Sequence, residues 1–360
     1  MTCYLFPGQG SQVKGMGRDL FDEWPQMAEQ ASDVLGYSIR TLCLEDPDKQ
    51  LGQTKYTQPA LYVVNAMSYQ QRLRATGTAP DHVAGHSLGE LNALQAAGAF
   101  SFEQGLRLVE RRGELMSRAP RGAMAAIVGP SPEAVVQCLK RNDLDTIDIA
   151  NMNSPRQTVV AGAFDDVKES QAAFEAMGAM FIPLNTSGAF HSRQMAAAGA
   201  EFEAYLGTVR FSDLRLPVIA NVSAEPYRQG QIARNLAKQI THPVRWLESM
   251  QYLLAAGETD FHELGVGDVL TKLMAAIRKD FVPTGAAEPR ASREQRVAVL
   301  RERIEDWNRS HPPGTRVRVK GSGESMKTRS PAMVLFGHRA AIYLQGHDGY
   351  FGLDEVRPMA

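Results

Sequence analysis

Cysteine is scarce. Cys3, Cys43 and Cys138 are the only three in 360 residues. Odd in number and far apart, they argue against a disulfide framework and against a cysteine-rich zinc site. Neither sign of charge is in excess: 39 Lys and Arg stand against 40 Asp and Glu, a net −1. That speaks against a dedicated nucleic-acid binder, which is usually basic, and leaves room for a local basic patch toward an acidic partner. No apolar run approaches the roughly 18 residues needed to span a bilayer. The opening Met1-Thr2-Cys3-Tyr4-Leu5-Phe6 lacks the charged and long apolar regions of a secretory signal. Internal repeats and low-complexity tracts are also missing. A soluble, cytoplasmic globular protein is expected, without nucleic-acid or membrane partners. At about 150 residues per domain the chain makes one large domain or two to three smaller ones, long enough to bury a core without staples.

Short apolar runs followed by tight turns and helices dominate the first 120 residues. Tyr4-Leu5-Phe6 stops at Pro7-Gly8-Gln9-Gly10, and His82-Val83-Ala84-Gly85 is a second strand. Helices are expected at Pro25–Leu35, ended by Gly36, at 59–73 with Pro59 in the first turn, and at Leu88–Ala97. Ser101 with Gln104 three residues on reads as a capping box opening a further helix. Strand, turn, helix, repeated, favours a parallel sheet. From 122 to 184 the order becomes β-α-β-β-α-β, with helices at 132–140 and 167–177, a ferredoxin-like unit. The chain then returns with a strand at Leu216–Ala220 and a helix at Pro243–Ala256. Pro283 to Ser292 is rich in Pro, Gly and Ala, a candidate boundary, and Ser292 can cap the charged helix that follows. Beyond Gly314, five short runs with Gly-rich turns suggest a small β-barrel or curled meander. The expected divisions are 1–120 with 186–285 as a large α/β domain, 121–185 as a ferredoxin-like subdomain, 286–313 as linker and helix, and 314–360 as a small β module.

Gly85-His86-Ser87-Leu88-Gly89 fits G-x-S-x-G between a strand and a helix. In that context a strained turn projects the serine hydroxyl and aims backbone N–H groups of the next helix at it. Ser87 is either a nucleophile or a plain cap of its helix, and the strand-turn-helix setting favours the nucleophile. A serine nucleophile needs a base. His86 is its neighbour on a sharp turn and points elsewhere; His82 and His86 lie on strand and turn and share no helical face for a metal. His242 precedes a proline, and His338 and His347 fall in the β-rich tail. His191, in the small-residue loop Ser187-Gly188-Ala189-Phe190-His191-Ser192, is the candidate, or a satisfied loop histidine. Gly8-Gln9-Gly10 fails as a dinucleotide loop because Val13 stands where a glycine is required. The Gln9 N–H could instead face a developing oxyanion. Arg111 and Arg112 are either solvated at a helix end or a guanidinium fork for a carboxylate.

Taken together, Phe6-Pro7-Gly8-Gln9-Gly10-Ser11-Gln12, Gly85 to Glu90, Arg111-Arg112-Gly113-Glu114-Leu115-Met116, Gly122 to Ile127, Asn153-Ser154-Pro155, Ala189-Phe190-His191-Ser192, Gln239 to Trp246 and Glu263 to Leu270 resemble, in order, the motifs of malonyl-CoA:acyl carrier protein transacylases. The resemblance covers about residues 1–280. It implies an α/β fold, a large α/β-hydrolase-like parallel-sheet domain with an inserted ferredoxin-like subdomain, here with a small C-terminal β-barrel-like module. It implies that Ser87 is the acyl nucleophile and His191 its base, with the backbone carbonyl of Gln239 orienting His191 in place of a third carboxylate. Backbone N–H groups of Gln9 and Leu88 would form the oxyanion hole, Arg112 would bind the free carboxylate of the acyl group, and Phe190 and Met116 would shape the acyl pocket. The sequence Ala189-Phe190-His191 resembles the malonyl type of signature. No metal and no permanently bound cofactor is implied; malonyl-CoA is the expected substrate. The expected partners are a coenzyme A thioester and an acyl carrier protein with its phosphopantetheine arm, and nothing requires more than a monomer. An acyl hydrolase that clears stalled carrier proteins is the alternative, and such an enzyme would not need Arg112.

Two departures stand out. The family usually has Gly-Pro-Gly where this chain has Gly265-Val266-Gly267, and housekeeping members of fatty-acid synthesis lack the C-terminal tail. The tail, with Leu335-Phe336-Gly337-His338-Arg339-Ala340-Ala341 and Gly349-Tyr350-Phe351, is similar to that of some stand-alone acyltransferases serving polyketide synthases.

Overall fold

Cys3, Tyr4, Leu5 and Phe6 are all buried, the mark of a strand covered on both faces. The computed structural model describes residues 1–186, 188–282, 293–320, 324–335, 339–347 and 350–359. The strands of its larger unit, Thr2–Gly285, are β1 Thr2–Phe6, β2 His82–Gly85, β3 Gly122–Val128, β4 Asp148–Ser154, β5 Gln157–Ala163, β6 Met180–Pro183, β7 Val218–Ile219 and β8 Asp260–Glu263. A parallel sheet runs β7-β2-β1-β8, with Phe6 beside Gly85 and Leu5 beside Glu263. Tyr4 and Phe6 face a large core with the helices Thr54–Thr76 and Phe102–Ser117; Cys3 and Leu5 face Trp246, Met250, Leu270 and Met274 on the other side. Each such side chain, fully buried, contributes roughly 1.5–3 kcal/mol.

β3 to β6 form an antiparallel sheet in the order β4-β5-β3-β6, the ferredoxin-like arrangement. Ala125, Ile127 and Val160 pack against Val135, Leu139, Val167 and Phe174 of its helices. Met124, Ala126 and Ala161, on the opposite face, join the large core. At the β4 edge, the Val244 N–H donates to Ala150 O and the Met152 N–H to Val244 O, both at 2.9 Å. That docks the chain just after Gln239.

The nucleophile turn explains its glycines. A Cβ on Gly85 would lie 1.9 Å from the Gly89 carbonyl, and one on Gly89 would lie 2.0 Å from Phe6 O. Only glycines let β2, the turn and the helix Gly89–Ala96 close this tightly. Gly89→Ala is expected to destabilise the protein by about 3 kcal/mol, read as a lower urea midpoint at unchanged slope.

Several expectations need correction. The helix expected to start at Pro59 begins at Thr54, and Pro59 lies within it. The Ser101 hydroxyl does cap the Gln104 N–H at 3.1 Å, but the Gln104 side chain donates to Arg210 O, so the box is half made. The helix expected at 167–177 is two, Phe164–Glu169 and Gln171–Ala176, parted at Ser170, whose hydroxyl bonds back to Val167 O at 2.7 Å. The helix expected from Pro243 begins at Trp246.

Among the described residues, the second unit, Ala286–Ala360, contains the helix Arg293–Ser310 and six strands: β9 Arg316–Val319, β10 Ser325–Lys327, β11 Met333–Leu335, β12 Arg339–Tyr343, β13 Tyr350–Gly352 and β14 Val356–Pro358. They make two antiparallel three-stranded sheets, β10-β9-β14 and β11-β12-β13, around Ile304, Val317, Ile342, Leu344 and Val356. β14 was not expected from the sequence. The boundary at 283–292 with its Ser292 cap, and Ser187, Phe336, His338 and Gly349, lie outside the described residues. Cys3, Cys43 and Cys138 are buried free thiols. Among the described residues no helix is long and apolar enough to cross a membrane.

Candidate active site

Ser87 sits at φ +52°, a left-handed conformation that non-glycine residues rarely adopt. Its N–H donates to Asn221 Oδ1 at 2.8 Å, which holds the turn open side up. His191 is also left-handed, at φ +59°. Its loop is fixed on both sides: the Ser192 hydroxyl donates to Ala189 O at 2.6 Å, and Arg193 pairs with Asp148 at the start of β4. The two strained residues meet, with Ser87 Oγ 2.7 Å from His191 Nε2.

His191 Nδ1 lies 2.7 Å from the backbone carbonyl of Gln239. A carbonyl only accepts, so Nδ1 carries the proton. Nε2 of the neutral ring is then the acceptor for the Ser87 hydroxyl. Burial, with the Arg112 charge second, pushes His191 down to about 3. The geometry is a base poised over a hydroxyl, with a backbone carbonyl fixing its tautomer.

Arg112 is 1% exposed. It precedes Gly113, whose absent side chain lets the helix Phe102–Ser117 approach Thr54 O and Lys55 Cα, where an added Cβ would lie within 3.3 Å of both. Arg112 Nη1 donates to Gln58 Oε1 at 2.8 Å, and Nη2 donates to Gln239 Oε1 at 2.7 Å and to Ser87 Oγ at 3.2 Å. Its Nε has no partner among the described residues. Burial lowers Arg112 to about 10, against the pull of Glu90. Arg112 is thus buried and hydrogen-bonded, not solvated at a helix end. Arg111 lies at the surface, paired with Glu114 and Glu201.

The Gln9 loop packs against the nucleophile turn. A Cβ on Gly8 would meet His86 O at 2.4 Å and Leu88 N at 3.6 Å. Among the described residues the N–H groups of Gln9 and Leu88 have no backbone acceptor, and Leu88 stands at the start of its helix, where N–H groups carry partial positive charge. The Gln9 side chain donates to Thr54 Oγ1 at 3.2 Å. Met116 is buried and receives Gln58 Nε2 at its sulfur, 3.5 Å away. Phe190 is buried beside His191 in the same apolar cluster as Met116. His86 turns away to Asn153 Oδ1 at 2.9 Å, and His82 pairs with Glu258.

Sequence reasoning missed four contributors. Glu90 lies inside the quoted run but drew no role; it is wholly buried and accepts from Tyr227 Oη at 2.7 Å, from the Asn221 N–H at 2.9 Å and from Gln239 Nε2. Asn221, Tyr227 and Gln58 arrive from distant segments. The signal for Glu90 was present: a carboxylate among Leu88, Leu91, Ala93 and Leu94 on a helix with no exposed face.

Comparison with known proteins is consistent with this constellation. Residues 3–305 match the family described as acyl transferase domain. The polyketide biosynthesis malonyl CoA-acyl carrier protein transacylase BaeC of Bacillus velezensis is 52% identical over 282 residues, 78% of this chain and 98% of its own. The crystal structure of malonyl CoA-acyl carrier protein transacylase from Burkholderia pseudomallei superposes with a TM-score of 0.76 at 51% identity, covering 78% of this chain and 99% of that one. A malonyl-transacylase solved in complex with its type II PKS acyl-carrier protein gives a TM-score of 0.74 at 36% identity, over 77% of this chain and 93% of that one. The chain therefore belongs to the acyl transferase family, as its ordered motifs led one to expect.

Proposed function

We propose that this chain is a malonyl-CoA:acyl carrier protein S-malonyltransferase. The observation that carries the proposal is Arg112: a buried guanidinium that reaches the Ser87 hydroxyl and is ringed by neutral oxygens. A permanent cation beside a nucleophile selects an acyl group that brings its own carboxylate. A hydrolase of uncharged acyl chains gains nothing from such a group, and an uncharged acyl chain would leave it unpaired.

In this mechanism His191 Nε2 takes the Ser87 proton as Oγ attacks the thioester carbon. The backbone N–H groups of Gln9 and Leu88 receive the oxyanion, each worth roughly 3 kcal/mol to the transition state. The C–S bond breaks, His191 returns the proton to the departing coenzyme A sulfur, and a malonyl ester remains on Ser87. The phosphopantetheine thiol of a carrier protein then gives its proton to His191 and attacks the ester, and the Ser87 oxygen leaves with that proton. The Gln239 carbonyl holds the ring throughout, and Phe190 and Met116 wall the acyl group. Likeness to transacylases of polyketide biosynthesis supports a role in supplying extender units to a polyketide synthase. The chain acts in this scheme as a cytoplasmic monomer with no permanent cofactor.

Initial rates with malonyl-CoA and a phosphopantetheinylated carrier protein should give parallel double-reciprocal lines; intersecting lines would rule out the acyl-enzyme route. Arg112→Ala should lower malonyl transfer by about a hundredfold while the relative acceptance of acetyl-CoA rises. An unchanged acyl preference would remove Arg112 from its role.

A further inference from the structure

Gln239 Nε2 faces three acceptors: Ser87 O at 2.8 Å, Asn221 Oδ1 at 3.3 Å, and Glu90 Oε2. The orientation of Asn221 is itself fixed, because Oδ1 receives the Ser87 N–H and Nδ2 donates to Gly85 O at 2.7 Å. The Gln239 amide can therefore stand only one way round, nitrogen toward this cluster and oxygen toward Arg112. Glu90 is the ionisable member of the cluster, and when ionised its carboxylate can only accept. Its carboxylate stands one amide away from Arg112, near enough to support the guanidinium charge yet not in contact with it.

We infer that Glu90 is a positioning residue for acyl selection, a displaced counter-ion that keeps Arg112 aimed through Gln239 while leaving its face open to the carboxylate of the acyl group. A carboxylate in direct contact with Arg112 would occupy that face; a site with no carboxylate would leave a buried cation without support. The inference rests on the acyltransferase reading of the site and adds to it the residue that sets its arginine.

Glu90→Gln is informative because the amide cannot satisfy the same partners. Its NH2 must face either Gln239 Nε2 or the Asn221 N–H, both donors. Turning the Gln239 amide over relieves the first conflict and presents NH2 to Arg112 Nη2 in place of oxygen. Two ionisable groups face Glu90: Tyr227, which burial holds well above its usual value, and Arg112, at about 10. Asn221 and Gln239 supply neutral donors. Burial pushes Glu90 itself up to about 7, and His191, at about 3, is neutral well below that.

The experiment follows acyl-enzyme formation by intact mass with malonyl-CoA and, separately, acetyl-CoA, for the wild-type protein and Glu90→Gln. The expected result is a malonyl-to-acetyl rate ratio at least about tenfold lower in the variant, with the KM for malonyl-CoA raised more than kcat is lowered. Equal losses for both substrates, or an unchanged ratio, would overturn the inference. The wild-type protein gives a test that does not depend on the variant folding: its ratio should fall by about tenfold from pH 8 to pH 6 as Glu90 gains its proton, and a flat ratio would overturn the inference. No adduct from either thioester on the wild-type protein would overturn the acyltransferase reading and this inference with it. Adducts with an insensitive ratio would overturn this inference alone.

Discussion

Ser87→Ala is expected to form no acyl-enzyme from malonyl-CoA, with transfer to a carrier protein falling by at least about a thousandfold. The substitution removes the oxygen that both His191 Nε2 and Arg112 Nη2 address. It leaves the backbone as it was, because alanine meets the same penalty as serine at φ +52° and its N–H still reaches Asn221 Oδ1. Folding should therefore be nearly unaffected, which separates loss of chemistry from loss of structure. Intact mass after exposure to malonyl-CoA and a thermal melt of the same sample check both halves.

His191→Ala is expected to cost about a thousandfold in acyl-enzyme formation, within the usual range for a positioned general base. Its pH behaviour follows from burial. With His191 pushed down to about 3, the folded protein binds fewer protons at this ring than the unfolded chain does between that value and the ordinary 6.5. The ring's contribution to stability is thus fully present above 6.5 and is lost as pH falls toward 3. Two results follow. The imidazole stays neutral and competent as a base at about pH 5, where an ordinary histidine is protonated; an NMR titration of the ring nitrogens checks this. The His191→Ala protein should also lose less stability than the wild type on acidification through that window, measured by urea unfolding at a series of pH values.

Local pattern was legible where a residue's partners lie close in sequence. Gly85 and Gly89, either side of Ser87, announce a turn because the clashes they avoid lie within the same few residues and in β1. The ferredoxin-like subdomain was legible because its strands follow one another along the chain. Pro59 misled because proline commonly opens a helix, whereas here the turn from Thr54 precedes it. β8, Asp260–Glu263, carries Phe261 as its one large apolar side chain and pairs with a strand 258 positions earlier, so neither periodicity nor a hairpin signal marks it. The geometry between Ser87 and His191, 104 residues apart, came from the family resemblance and not from spacing. Asn221, Gln58 and Tyr227 escaped because their meaning lies in hydrogen bonds between distant segments, whereas Glu90 stood in the sequence as a carboxylate among apolar helix residues and drew no role.

The central claim is that Ser87 carries a malonyl group between two thiols. The most direct measurement is sequential intact-mass analysis. The protein is mixed with malonyl-CoA, freed of excess reagent, and then mixed with a phosphopantetheinylated carrier protein. The account predicts one malonyl adduct on the protein, absent from Ser87→Ala, that disappears as the same mass appears on the carrier. An adduct that decays to free malonate while the carrier stays unmodified, or loading by an uncharged acyl thioester but not by malonyl-CoA, would contradict it.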